Sequence, residues 1–507
     1  MNKYIFKTIL SAALAFPVLT SCELDQYPAG TIPAEEAWQS TDDANNFYIG
    51  LLSYLRSYAG TTNNAVAEVQ ADLFNQGNSS VSLNQEYDWT FVSTQFGGDG
   101  MWSGSYGLIM AANTILDNIG QVVPADEDEA ATLRGIKGTA YFARAYAYSK
   151  LVTRYCKEYN AATADETLGL PLVLKVDVNA KPSRASLQAT YDQIIEDLDS
   201  ADVNMAGLTN FSDVTAPNAN TAKALRARVY LNCKKYDEAV SIADELIAQY
   251  PLTNKGNLGD MWWNDAATSE IIYMPLLTTD ERTGGTMGTY YFGYSAQMEM
   301  YTANYFPTQA LLDLYKEEGS NRIRDARFDT FFQQTELCSG QYTGTGYIFY
   351  KFPGNAELRK GTENDQNAWY NMPKPFRSAE LYLIAAEASY LKATPDETAA
   401  LGYLNALRTK RGASELSRSG DLLFKEIKNE WAREFCGEGF RLDCLKRWGD
   451  AIVRTNPQNM NGDVLRNEDP SITTELNITP EDARYKKIVW EIPSSDLQSN
   501  KNLEPNW

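Results

Sequence analysis

The stretch from Asn220 to Pro251 narrows the choice of fold more than any other part of the chain. Ala227, Tyr230, Ala239 and Pro251 fall at the offsets of a tetratricopeptide helix pair. Alanines at the crossing let two helices approach closely. Cys233-Lys234-Lys235 makes the turn, Tyr236 packs beneath it, and Pro251 stops the second helix because it has no N–H to donate. Ala243 stands where a larger residue is common, so the match is partial. A second pair reads over 378–392 and 396–411, broken at Thr394-Pro395 and ended by Gly412. Helical spacing also runs through 136–155, and residues 191–205 place Ile194, Ile195, Leu198 and Ala201 on one stripe. A single pair cannot bury its apolar face alone, whereas stacked pairs can. The expected fold is therefore mainly α, with about four tetratricopeptide-like pairs near 106–155, 187–250, 378–411 and 421–450.

Three stretches break that rhythm. Residues 70–104 are polar, 256–305 are rich in Gly, Thr and Tyr, and 340–371 carry Tyr342, Tyr347, Tyr350, Trp369 and Tyr370. They read as loops and short strands, and long excursions from a repeat scaffold are where function concentrates. Aromatics make up 12% of the chain, enough to pack a core and still furnish flat faces for sugar rings. The candidate stacking faces are Tyr290, Tyr291 and Tyr294, beside flexible glycines, with Trp89, Trp369 and Tyr370 as further platforms. Asp72, Asn75 and Asn371 are candidates for binding sugar hydroxyls.

Composition removes much chemistry. The chain contains no histidine, which excludes Ser-His-Asp and Cys-His nucleophile activation and HExxH zinc sites. A net charge of −21 argues against nucleic acid as a partner. An enzyme of this composition would rest on carboxylates. Glu380 and Glu387, at i and i+7, lie on one helix face about 10 Å apart along the axis, a gap compatible with an inverting glycosidase. Yet acids on one helix share an orientation, and nothing places them across a sugar. No EF-hand spacing is present and no cofactor is expected; the acidic composition leaves only a structural calcium on oxygen ligands open. The run Asp126-Glu127-Asp128-Glu129 reads as a solvated acidic loop.

The N-terminus is an address. Lys3 and Lys7 precede a short apolar segment over 9–19, followed by Leu19-Thr20-Ser21-Cys22. This is a secretory signal over 1–21, too short to span a bilayer, and Cys22 sits where a bacterial lipobox places its acylated cysteine. Without the leader the net charge is −23, and residues 22–507 are expected to form one domain. Five cysteines follow Cys22, too few and too scattered for a disulfide scaffold.

In order along nearly the whole chain, the motifs resemble the SusD/RagB family. Leu24-Asp25-Gln26-Tyr27-Pro28 and Ala37-Trp38-Gln39-Ser40 are similar to its opening, and 101–119 to its helix with a Trp, a Tyr and a central Asn. The alanine-rich 135–155, Leu170-Pro171-Leu172, and 311–315 followed by Arg324-Asp325-Ala326-Arg327-Phe328 also match. The most specific likeness is Arg377 through Ala388, with Leu404-Asn405-Ala406-Leu407-Arg408, Glu438-Gly439-Phe440-Arg441 and Lys446-Arg447-Trp448-Gly449. Trp431 and Cys444 depart from the usual Arg and Leu. Arg377, Glu380, Glu387, Arg441 and Asp443 are expected to lock stacked helices through charge-assisted pairs.

The resemblance implies a surface-exposed outer-membrane lipoprotein, anchored through Cys22, that binds a nutrient, foremost a glycan, and delivers it to a SusC-like TonB-dependent β-barrel. It implies no catalysis. The alternatives are a peptide ligand of the RagB type, a carboxylate-based glycoside hydrolase, and a purely structural repeat protein.

Overall fold

The computed structural model describes residues 37–507 except 61, 78–81, 95, 97, 209–212, 283–285, 340–341, 360–368, 456, 459–460 and 463–474. The leader and Cys22 lie outside the described residues.

The longer helices are α1 (Thr41–Ala59), α2 (Thr62–Gln70), α3 (Asp99–Asn118), α4 (Glu127–Tyr155), α5 (Leu187–Met205), α6 (Ala219–Asn232), α7 (Tyr236–Ile247), α8 (Ser378–Leu391), α9 (Glu397–Lys410), α10 (Gly420–Phe435) and α11 (Arg441–Trp448). Each from α3 to α9 packs on the next, and α8 and α9 pack on α10, which meets α11. The fold is thus mainly α and built on tetratricopeptide-like pairs. The segment 187–250 holds three helices, since α5 packs on the long α4 as well as on α6.

Local chemistry sets the ends. The Ser40 hydroxyl and the Asp43 carboxylate form a reciprocal capping box at the start of α1. Asp126 caps α4 by accepting from the Glu129 amide, while Glu127, Asp128 and Glu129 form its first turn. The acidic run is therefore a helix start, not a loop. Carboxylates there satisfy free backbone N–H groups and meet the positive end of the helix dipole. The turn between α6 and α7 falls at Cys233-Lys234-Lys235, with Lys234 at φ 61°.

Helix α8 is buried on nearly all sides, including its two acids. Arg228 binds Glu380 through Nε and Nη2 at 2.5 and 2.7 Å. Arg447 binds Glu387 through the same two nitrogens at 2.8 and 2.9 Å. Arg154 pairs with Asp443 at 2.9 Å. A deeper network centres on Glu434 of α10, which takes Arg327 at 2.7 Å, Arg377 at 2.5 Å and Arg411 at 2.9 Å. Glu270 joins Arg377 and Arg411 from the second excursion. The signature charges thus clamp the excursions onto the repeats.

The excursions supply the strands. The sheet that matters for the site runs in the order Asn461–Gly462, Tyr342–Phe349, Phe332–Ser339, Met300–Ala303, Phe292–Ser295. All five described cysteines are free and buried.

Candidate ligand-binding site

The hairpin Phe292–Ser295 with Met300–Ala303 builds the core of the site. Its register sets Tyr294 opposite Tyr301 and Phe292 opposite Ala303. Side chains alternate across a strand, so Phe292, Tyr294 and Tyr301 share one face. Phe292 is the buried foot of the cluster. Its ring lies 4.8 Å from Trp369 and 5.7 Å from Tyr350. Around it Tyr301 stands 5.7 Å from Tyr294, 6.3 Å from Trp369 and 6.4 Å from Tyr350. Trp263 extends the line, 6.1 Å beyond Tyr350. Tyr294, Tyr301, Tyr350, Trp369 and Trp263 are all half-buried: each is held by neighbours and keeps part of its surface in solvent.

Edge-to-face geometry dominates these contacts, and each such pair contributes about 0.5–1.5 kcal/mol beyond area burial. The rings are therefore fixed before a ligand arrives. Tyr301 and the Arg359 guanidinium are the groups that act on the Tyr350 hydroxyl. Burial pushes the Tyr350 phenol up to about 12, aided by Tyr301 and opposed by Arg359, so this hydroxyl stays protonated at neutral pH. Fixed aromatic faces beside phenol hydroxyls and one cation can cover apolar C–H surface and bond to hydroxyls. Acid–base chemistry would need a different set of groups.

The structure brings together only part of the expected site. Tyr294 and Trp369 stand in the cluster. Tyr290, at the end of the short turn Met287–Tyr290, is half-buried on the same side chain-rich segment. Tyr370 is half-buried too, but Arg282 lies over its ring at 4.3 Å. The other candidates are corrections. Trp89 is 1% exposed, its indole N–H bound to the Gln70 carbonyl at 2.8 Å, because the αL turn at this residue drives the ring inward. Tyr291 is 1% exposed and packs on Phe74 and Phe349. The register explains this: it precedes Phe292 and points to the opposite face. Asn75 is buried and donates to the Thr455 carbonyl at 3.0 Å. Asn371 is buried as a backbone bracket, accepting from Gly354 N–H and donating to the Trp262 carbonyl. Asp72 is occupied by Arg441 at 2.7 and 2.8 Å.

Trp263 and Tyr301 were not singled out from sequence, and Tyr350 was noted only among the aromatics of its excursion. The alternation across 292–303 could have marked Tyr301 as the partner of Tyr294. Among the described residues no group of three or more Cys, Asp or Glu is arranged to hold a metal ion.

These features define a helical-repeat scaffold carrying a fixed aromatic surface on inserted strands. Residues 333–507 match the model described as SusD family, and 25–231 match the one described as starch-binding associating with outer membrane. The chain belongs to the SusD/RagB family. A SusD-like protein of Formosa agariphila is 24% identical over 485 residues, 85% of this chain and 87% of the relative. A SusD superfamily protein of Bacteroides vulgatus superposes with a TM-score of 0.74 at 24% identity, covering 92% of this chain and 99% of that one. One from Bacteroides thetaiotaomicron gives 0.73 at 23%, covering 92% and 100%. A SusD-like carbohydrate binding protein of Bacteroides vulgatus gives 0.71 at 20%, covering 92% and 98%.

Proposed function

We propose that this protein binds a glycan on the surface formed by Tyr294, Tyr301, Tyr350, Trp369 and Trp263 and passes it to a SusC-like TonB-dependent barrel. The observation that carries the reading is the cluster itself: half-exposed rings held mostly edge to face around Phe292, with tyrosine hydroxyls among them and the Arg359 charge acting on Tyr350. The matched family's description as starch-binding and associating with the outer membrane supports the ligand class and the location. Anchoring would come from acylation of Cys22, and no helix among the described residues is long and apolar enough to cross a membrane.

No catalytic role is assigned. Glu380 and Glu387 each face an arginine through two nitrogens, which leaves neither carboxylate disposed toward a substrate.

The test is isothermal titration of residues 23–507 against a panel of polysaccharides and a peptide digest, at low and high salt. Saturable binding to one glycan, insensitive to salt and weakened by Tyr301→Ala, is expected. Salt-sensitive binding to peptides alone would replace the glycan reading with a peptide one, since a chain of net charge −21 attracts basic ligands through a screened field.

A further inference from the structure

A cavity of about 80 Å³ lies between α4, α6, α10 and the segment 438–440, with Trp262, Met287 and Phe352 also on its wall. That is room for more than one water-sized occupant. Its charged lining is unevenly paired. Arg154 has Asp443, Arg228 has Glu380, Arg447 has Glu387, and Lys374 has Asp265. Lys150 has no such partner among the described residues: its Nζ donates to the Asn64 amide oxygen at 3.1 Å and lies 5.6 Å from the Tyr146 ring centre.

Three further donors on residues lining the same space have no protein acceptor: Tyr146 Oη, Trp431 Nε1 and Trp262 Nε1, on side chains 0%, 3% and 1% exposed. Buried donors are almost always satisfied, so orphan donors around a cavity that also holds an unpaired ammonium call for an acceptor that is not protein. The acids at the wall, Glu380, Glu438 and Asp443, are each already engaged by arginine or lysine.

We propose that this cavity is a site for a small anion, of the size range from chloride to acetate or phosphate, held by Lys150, Tyr146 Oη and Trp431 Nε1. Such an ion supplies the missing countercharge of Lys150 and accepts from Tyr146 Oη and Trp431 Nε1. It also ties α4 to α10 through the space between them. Burial, then Arg154 and Arg228, pull the Lys150 ammonium down to about 7, against the opposing pull of Asp443 and Glu380. A bound anion favours its charged form, so the site should be occupied more fully on the acid side of neutrality.

The experiment uses residues 23–507 at pH 6 and constant ionic strength, with sodium gluconate replaced stepwise by chloride, acetate or phosphate. The expected result is a saturable rise of several degrees in melting midpoint with at least one of the three, because a ligand that binds only the folded state stabilises it by mass action. Lys150→Met should melt no lower than the parent in gluconate and lose the anion response. Tyr146→Phe should keep the response with a half-saturating concentration several-fold higher. Equal midpoints in all four anions, or a response that survives in K150M, would overturn the assignment. Should K150M fail to fold, an unchanged half-saturation in Y146F overturns it.

Discussion

Replacing Glu434 by Gln removes one negative charge from the centre of the clamp and alters little else in shape. The carboxylate accepts from Arg327 Nη1 at 2.7 Å, Arg377 Nη1 at 2.5 Å, and Arg411 Nε and Nη2 at 3.0 and 2.9 Å. Burial alone would favour its neutral form, but Arg411, Arg377 and Arg327 outweigh it and hold the carboxyl well below the usual range. Neutralising one member of a buried ion pair costs ~3–5 kcal/mol, because its partners stay buried without compensation. Unfolding entropy is ~2.1 cal/mol/K per residue, so a mature chain of about 485 residues changes by ~1 kcal/mol per degree near its midpoint. Glu434→Gln should therefore lower the calorimetric midpoint by ~4 °C at pH 7. Glu245→Gln is the control: its pair with Lys223 has side chains 46% and 32% exposed, and the loss should stay under ~1 kcal/mol. The folded value is the lower one, so the contribution is present above the ordinary glutamate range near ~4.3 and fades as pH falls below it. The gap between parent and variant should narrow accordingly in acid. A gap at pH 7 no larger than the control's would refute the reasoning and mean that dehydration of these charges cancels their attraction.

Three further outcomes follow from the same chemistry. Tyr301→Ala and Trp369→Ala should each weaken binding of the identified glycan by roughly tenfold in titration calorimetry, about 1.4 kcal/mol, while leaving the melting midpoint within ~2 °C. Trp89→Phe should leave glycan affinity unchanged and lower stability by ~1 kcal/mol, the net value of the lost bond to the Gln70 carbonyl. Glu68 is the inverse of Glu434: burial raises it to about 7 despite backbone donors from Gly437, Gly439 and Arg441. Its folded value is the higher one, so it costs stability increasingly from about pH 4.5 to 7, and Glu68→Gln should gain on the parent over that interval in thermal melts and hold the gain at pH 8.

Helix content and pairing were legible because they rest on local spacing: the alanines at the α6–α7 crossing and the Pro that ends the pair act through neighbours three or four residues away. The signature charges were legible as pairs but not as a network. Glu434 and Glu270 carry no motif of their own, and they meet Arg411 only because α9, α10 and the second excursion converge. The aromatic site was half legible for the same reason. Composition located the excursions, yet whether a ring faces solvent or core depends on strand register, which one residue reverses. Tyr291 and Tyr294 look alike in sequence; an odd offset of three places the first in the core and the second on the surface. Trp89 and Asn371 failed differently. Each sits in a polar stretch that reads as exposed, but a buried backbone carbonyl or N–H nearby needed a partner, and these side chains provide it. Polar residues in a long excursion are thus as often brackets for its own backbone as contacts for a ligand. Half-exposed rings in mutual edge-to-face contact are the better mark of a binding face, because such an arrangement holds apolar surface in water at a cost that the fold alone gives no reason to bear.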